Sequence, residues 1–139
     1  MNIAIDPAAK CGIAWLDHDG RVVTHHCGLL QIADWIASLP AEKHRVFLER
    51  PPKGLHGAAA VIFAGNLIVD EFRRVHPRRC QIEFVNPSSW QAAVRRKIGA
   101  VDGEDSKGLS RRFVDGHGVD YDSSQDACDA AAILLITKG

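Results

Sequence analysis

The run Ser123-Ser124-Gln125-Asp126-Ala127-Cys128-Asp129-Ala130-Ala131-Ala132-Ile133-Leu134-Leu135 constrains this chain most. Its small and apolar residues predict a helix that is buried nearly all round, capped by Ser123 or Ser124. Two aspartates interrupt it, three residues apart, in the first turn. That spacing puts both carboxylates on one face. Two acids at the mouth of a buried helix repel each other and lose hydration, so they require a compensating cation. A divalent metal is the simplest, because hard cations take carboxylate oxygens. The fold must therefore bury this helix while leaving its N-terminus beside a cation site.

Upstream, Asn2–Asp6 predicts a short strand ending in an acid, followed by a turn at Pro7–Lys10 and a second strand over Gly12–Leu16. Asp19-Gly20 is a hairpin signal leading into a third strand, Arg21–Cys27. A helix is predicted over Leu29–Leu39, stopped by Pro40. His44–Glu49 is a fourth strand, also ending in an acid. Gly57–Val75 is the longest helical pattern, and its first half is apolar nearly all round. Such a face is either deeply buried or part of a subunit interface. Gln81–Val85 is a fifth strand. Asn86-Pro87 then supplies a cap and a first-turn proline for a helix reaching Ile98, with Gly99 stopping it. Asp105–Val114 predicts another helix, and Asp115–Ser123 a loop. Three strands, a helix, a strand, a helix, a strand and further helices make an α/β domain: a hairpin sheet extended by crossover strands. Residues 1–139 read as one domain, with no internal repeat or linker.

Composition narrows the function. There is no apolar run of transmembrane length, and Met1–Ile5 enters a strand pattern directly, so no membrane is expected and the expected location is cytoplasmic. The cysteines, Cys11, Cys27, Cys80 and Cys128, form no Cys-x-x-Cys pair, which argues against zinc. Net charge is zero, yet Arg73 to Arg112 holds ten Lys or Arg against four Asp or Glu, while the rest holds seven against thirteen. Such clustering is the footprint of a polyanion partner.

If the first and fourth strands are parallel neighbours, Asp6 and Glu49 emerge side by side. The last helix can bring Asp126 and Asp129 to the same edge. Four carboxylates then suit two divalent ions and in-line displacement at phosphorus. Singly, each acid is equally well a turn former, a surface pair or a helix-dipole residue. Asp129 is the exception, because an unpaired carboxylate inside an apolar helix is costly.

Ile5-Asp6-Pro7-Ala8-Ala9-Lys10-Cys11-Gly12-Ile13-Ala14 resembles the opening motif of RuvC-type Holliday junction resolvases, within the ribonuclease H-like superfamily. Phe47-Leu48-Glu49 is similar to their second acidic strand, and Val85-Asn86-Pro87-Ser88-Ser89-Trp90-Gln91 to a strand-to-helix segment of phage and bacterial members. Asp126-Ala127-Cys128-Asp129-Ala130 resembles their terminal Asp-x-x-Asp-Ala helix. The resemblance implies a ribonuclease H-like mixed five-stranded sheet and a homodimeric endonuclease that nicks four-way DNA junctions symmetrically. It implies Mg2+ or Mn2+ as the metal, two ions per site, held by Asp6, Glu49, Asp126 and Asp129, with no nucleotide cofactor. A lysine near the scissile phosphate is also implied, Lys107 first and Lys97 second. Arg73, Arg74, Arg78, Arg79, Arg95, Arg96, Arg111 and Arg112 are the candidates, with Lys97, for DNA phosphates. Ala8 and Cys11 stand where the family usually has Gly and Thr, so the turn lacks a glycine and a hydroxyl. The 50–57 loop carries no junction-wedging aromatic, only Leu55 and His56. The short chain fits a compact phage or mobile-element form.

Trp15, Trp35 and Trp90 are expected to pack, and the histidines show no metal spacing. Three other readings compete: the same chemistry on flaps, forks or structured RNA; a junction-binding module that does not cut; and an actin-like kinase or ATPase. The last needs two such domains and a glycine-rich second phosphate loop, which the chain lacks.

Overall fold

The structure is a computed structural model and describes residues 1–51 and 58–137. Its strands are β1 (Asn2–Asp6), β2 (Lys10–Leu16), β3 (Val22–Gly28), β4 (His44–Glu49) and β5 (Cys80–Val85). They form one sheet in the order β3-β2-β1-β4-β5. β1, β2 and β3 are joined antiparallel, whereas β4 is parallel to both β1 and β5. The helices are α1 (Leu29–Ser38), α2 (Ala58–Val75), α3 (Pro87–Ile98), α4 (Ser106–Gly116) and α5 (Gln125–Thr137). This is the mixed five-stranded α/β architecture expected from the sequence. No helix among the described residues is long and apolar enough to cross a membrane.

Strand periodicity divides the core in two. Ile3, Ile5, Ile13, Val46 and Leu48 point to one face and pack with Ile32 and Ile36 of α1 and Ile68 and Phe72 of α2. Ala4, Ala14 and Phe47 point to the other and pack with Trp90, Val94, Leu109, Phe113 and the buried side of α5. The second face is built of small residues where α5 lies. Ala4 and Ala14 on the sheet meet Ala130, Ala131 and Ala132 on the helix, all fully buried. Small against small lets α5 come close to the backbone of β1 and β2. Gly12 takes this furthest, since a Cβ there would lie 2.0 Å from the backbone C and O of Asp126.

Local chemistry sets the ends of these elements. Gly20 takes the left-handed conformation the hairpin needs, and Asp17 Oδ1 accepts from the N–H groups of Asp19 and Arg21. Asp105 Oδ1 accepts from Gly108 N–H at 2.8 Å and caps α4. Ser124, rather than Ser123, caps α5 by accepting from Ala127 N–H at 3.2 Å. Asn86 occupies the cap position of α3 but makes no side-chain cap bond there. Pro87 at the first turn has no donor to satisfy.

The structure moves several expected bounds and decides two points that the sequence left open. β2 begins at Lys10, because the ladder to β3 extends to Lys10 and Gly28. α4 runs on through Gly116, shortening the loop expected over Asp115–Ser123. The apolar start of α2 is not deeply buried: Ile62 is 48% and Phe63 62% exposed. The substitutions Ala8 and Cys11 leave the first turn intact. Ala8 does not adopt positive φ, and the Cys11 thiol donates to Ala8 O at 3.2 Å, in place of the missing hydroxyl. Residue 57 and the loop carrying Leu55 and His56 lie outside the described residues.

Candidate functional site

Asp6 and Glu49 end adjacent parallel strands whose preceding residues, Ile5 and Leu48, are register partners. The two acids therefore leave the sheet side by side, about 4.8 Å apart in strand spacing. Asp6 has the parity of Ala4, and Glu49 that of Phe47, so both acids belong to the face that carries α5. Asp6 also pairs across the ladder with Gly12, the residue on which Asp126 rests. The start of α5 is thus placed directly over the end of β1, and Asp126 and Asp129 share its first turn and a half.

Electrostatics shows that the four carboxylates act on one another. Asp6 is only 8% exposed. Burial raises its carboxyl well above the ordinary range, and the charges of Glu49, Asp126 and Asp129 raise it further. Burial pushes Glu49 up to about 7; the Trp90 hydrogen bond opposes that rise, and the charges of Asp129 and Asp126 add to it. Asp126 is raised by burial, against a proton-sharing contact with Asp6 and the positive charge of Lys107. Asp129 is raised by burial, against donors on Ser110 and Gln125. Four acids that all resist ionisation in one place form a site short of positive charge.

The donor set fits a hard divalent cation: carboxylate oxygens only, on one sheet edge. Among the described residues no three His, Cys, Asp or Glu side chains are already converged around an ion position. Closing a coordination sphere on these acids therefore requires side-chain rotation, which the partly exposed Asp126 permits.

The basic candidates separate into two groups. Lys107, exposed in the first turn of α4, acts electrostatically on both Asp126 and Asp129. Lys97, by contrast, lies in the last turn of α3 with Arg95 and Arg96, away from the end that touches Glu49. Arg73 and Arg74 end α2, and Arg78 and Arg79 follow it. Arg79 O accepts from His44 N–H at the start of β4. That end of β4 is about 17 Å from Glu49 by strand rise. These four arginines thus lie at the far end of the sheet from the acids. Arg74 pairs with Glu71 at 2.7 Å. Arg111 is exposed on α4. Arg112 is occupied within the fold: it donates to both oxygens of Glu104 and to the carbonyls of Ile98 and Gly99, tying α4 to the end of α3.

Four further residues belong to the site. Trp90, read from the sequence as packing, is buried and also donates from Nε1 to Glu49 Oε2 at 2.6 Å. Ser110 Oγ donates to Asp129 Oδ1 at 2.6 Å, and Gln125 Nε2 to the same oxygen at 2.7 Å. His26, opposite Gly12 in the β2–β3 ladder, lies 3.6 Å from Asp122 and acts on Asp126. Only Gln125, one helical turn before Asp129, carries a sequence signal for its role. The others come from distant segments.

The structure is similar to the crystal structure of the yeast mitochondrial Holliday junction resolvase Ydc2, with a TM-score of 0.54 and 13% sequence identity. The match covers 97% of this chain and 76% of that one. At that identity the likeness establishes a shared fold. No family model and no curated protein matches the sequence.

Proposed function

We propose that this chain is a metal-dependent, structure-selective endonuclease that nicks four-way DNA junctions. One observation carries the reading: four carboxylates, from the ends of β1 and β4 and the start of α5, lie near enough at one end of a sheet to act on one another, and the fold of that sheet is shared with a junction resolvase. Asp6, Glu49, Asp126 and Asp129 would hold Mg2+ or Mn2+, two ions per site. When bound, these ions supply the positive charge and Lewis acidity that hydrolysis of a phosphodiester needs.

The chain's own residues do the rest. The acids fix where the ions sit, and Lys107 at their rim offsets the charge of the incoming phosphate. Exposed Arg95, Arg96 and Arg111 track phosphates of a DNA arm, and Arg73, Arg74, Arg78 and Arg79 meet an arm farther from the cut. The exposed Ile62 and Phe63 on α2 support a homodimer, which would give a two-fold symmetric junction two matching cuts.

The test is cleavage of a labelled four-way junction beside duplex, flap and fork controls, with Mg2+ and with EDTA. Metal-dependent paired nicks confined to the junction are the expected result. Equal cutting of flaps and forks would move the function to general branched-DNA processing. Binding without cutting in either metal would make the chain a junction-binding module.

A further inference from the structure

Two of the four acids are gripped by neutral donors, each on one oxygen. Trp90 of α3 reaches Glu49 Oε2, while Ser110 of α4 and Gln125 of α5 both reach Asp129 Oδ1. These donors leave Glu49 Oε1 and Asp129 Oδ2 to other partners, and Glu49 also shares a carboxyl contact with Asp6, a fellow acid of the site. Trp90 is 2% and Ser110 0% exposed, so the donors stand in the packed core and cannot swing away. An indole N–H, a hydroxyl and an amide hold a carboxylate without adding charge. An arginine in the same place would cancel the negative charge that a cation needs. The arrangement fixes each carboxylate's orientation and favours its charged form without adding positive charge.

We propose that Trp90 and Ser110 are positioning residues for a divalent cation: each clamps one oxygen of an acid so that the other is presented to the ion. Outer-shell donors of this kind set how well a metal site is preorganised. The inference rests on the metal-dependent reading above and concerns residues that this reading does not use. A purely structural role predicts something different. Trp90 also packs in the α5-side core, so its loss would lower stability without altering how the folded chain takes up metal.

Trp90→Phe keeps an aromatic ring and removes the N–H; Ser110→Ala removes only the hydroxyl. Mn2+ uptake by the full chain is measured by the loss of the free-ion electron paramagnetic resonance signal. Melting temperature and junction affinity in EDTA are measured in parallel. Each variant is expected to bind Mn2+ about 10–100-fold more weakly. Junction affinity in EDTA should stay unchanged, and cleavage should return as Mn2+ is raised. Parental Mn2+ affinity in both variants overturns the proposal, whatever happens to the melting temperature. Should Trp90→Phe fail to fold, Ser110→Ala carries the same readout on Asp129. A parent chain that takes up no Mn2+ overturns this proposal and the metal reading together. A parent that takes up Mn2+, loses affinity in both variants and cuts no DNA overturns the nuclease reading alone.

Discussion

Gly12→Ala is the sharpest perturbation the structure offers, because the added methyl meets backbone. Its Cβ would lie 2.0 Å from Asp126 C and O and 2.5 Å from Ala127 N. Non-bonded carbon atoms settle at about 3.5–4.0 Å, so the start of α5 must retreat by about 1.5 Å or more. None of these three contacts is the flexible end of a side chain, and β2 is held on both sides by the β1 and β3 ladders. Overpacking of this kind costs about 1–3 kcal/mol. A domain with about 5–15 kcal/mol of stability survives that loss and stays folded. The retreat moves Asp126 away from Asp6, and a displacement of about 1 Å in a reacting constellation costs about 100-fold in rate. Melting temperature should fall by several degrees, and metal-dependent junction cleavage should drop by about two orders of magnitude. Gly116→Ala is the control: it lies at the end of α4, with nothing within 4 Å of its built Cβ, and should be neutral or slightly stabilising. Parental cleavage in Gly12→Ala would refute the claim that close contact between α5 and β2 assembles the site.

Asp6→Asn, Glu49→Gln, Asp126→Asn and Asp129→Asn should each abolish cutting and leave junction binding in EDTA largely intact by gel shift; near-parental cleavage in any one removes that residue from the metal set. Metal-free stability should fall as pH rises from about 4.5 to about 7, because folded Glu49 keeps its proton up to about 7 while the unfolded chain loses it near 4.5. For Glu49 alone the loss is on the order of 3 kcal/mol, complete above pH 7 and absent below the unfolded value; melting curves across that range, with and without Mg2+, should diverge as pH rises. Phe63→Asp, on the exposed face of α2, should shift the chain from dimer to monomer by light scattering and leave its metal-free fold unchanged by circular dichroism.

Much of the site could be read from the sequence because it depends on periodicity. Asp6 follows the alternation Ile3, Ala4, Ile5, and Asp-x-x-Asp in an apolar run admits one helical reading. Strand parity places the first acid and helical spacing the last two, and both are properties of local chain. The residues that were missed depend on register between distant segments. Trp90 reaches Glu49 only because β4 and β5 are parallel and α3 turns back over their ends. Ser110 reaches Asp129 because α4 packs beside α5, and His26 reaches the site because β3 pairs it opposite Gly12. Arg112 looked like a DNA contact because charge clustering counts residues without seeing partners; Glu104 and two helix-end carbonyls were already waiting for it. The exposed start of α2 shows the same limit: an apolar run cannot say whether its cover is the sheet or another molecule.

The acids come from almost the full span of the described chain, with Asp6 in the first strand and Asp129 in the last helix. Joining them closes one of the long loops of the fold, a slow kind of contact for a chain to make. The sheet can pair before that, yet until α5 docks on Gly12 it presents only two of its four acids. Long-range docking of this kind tends to come late in folding, so the four-acid set is expected to be completed after the sheet has paired. On the proposed nuclease reading, a chain that lacks the last helix keeps its basic surface and only two of the four acids, so it would bind DNA without a complete metal site.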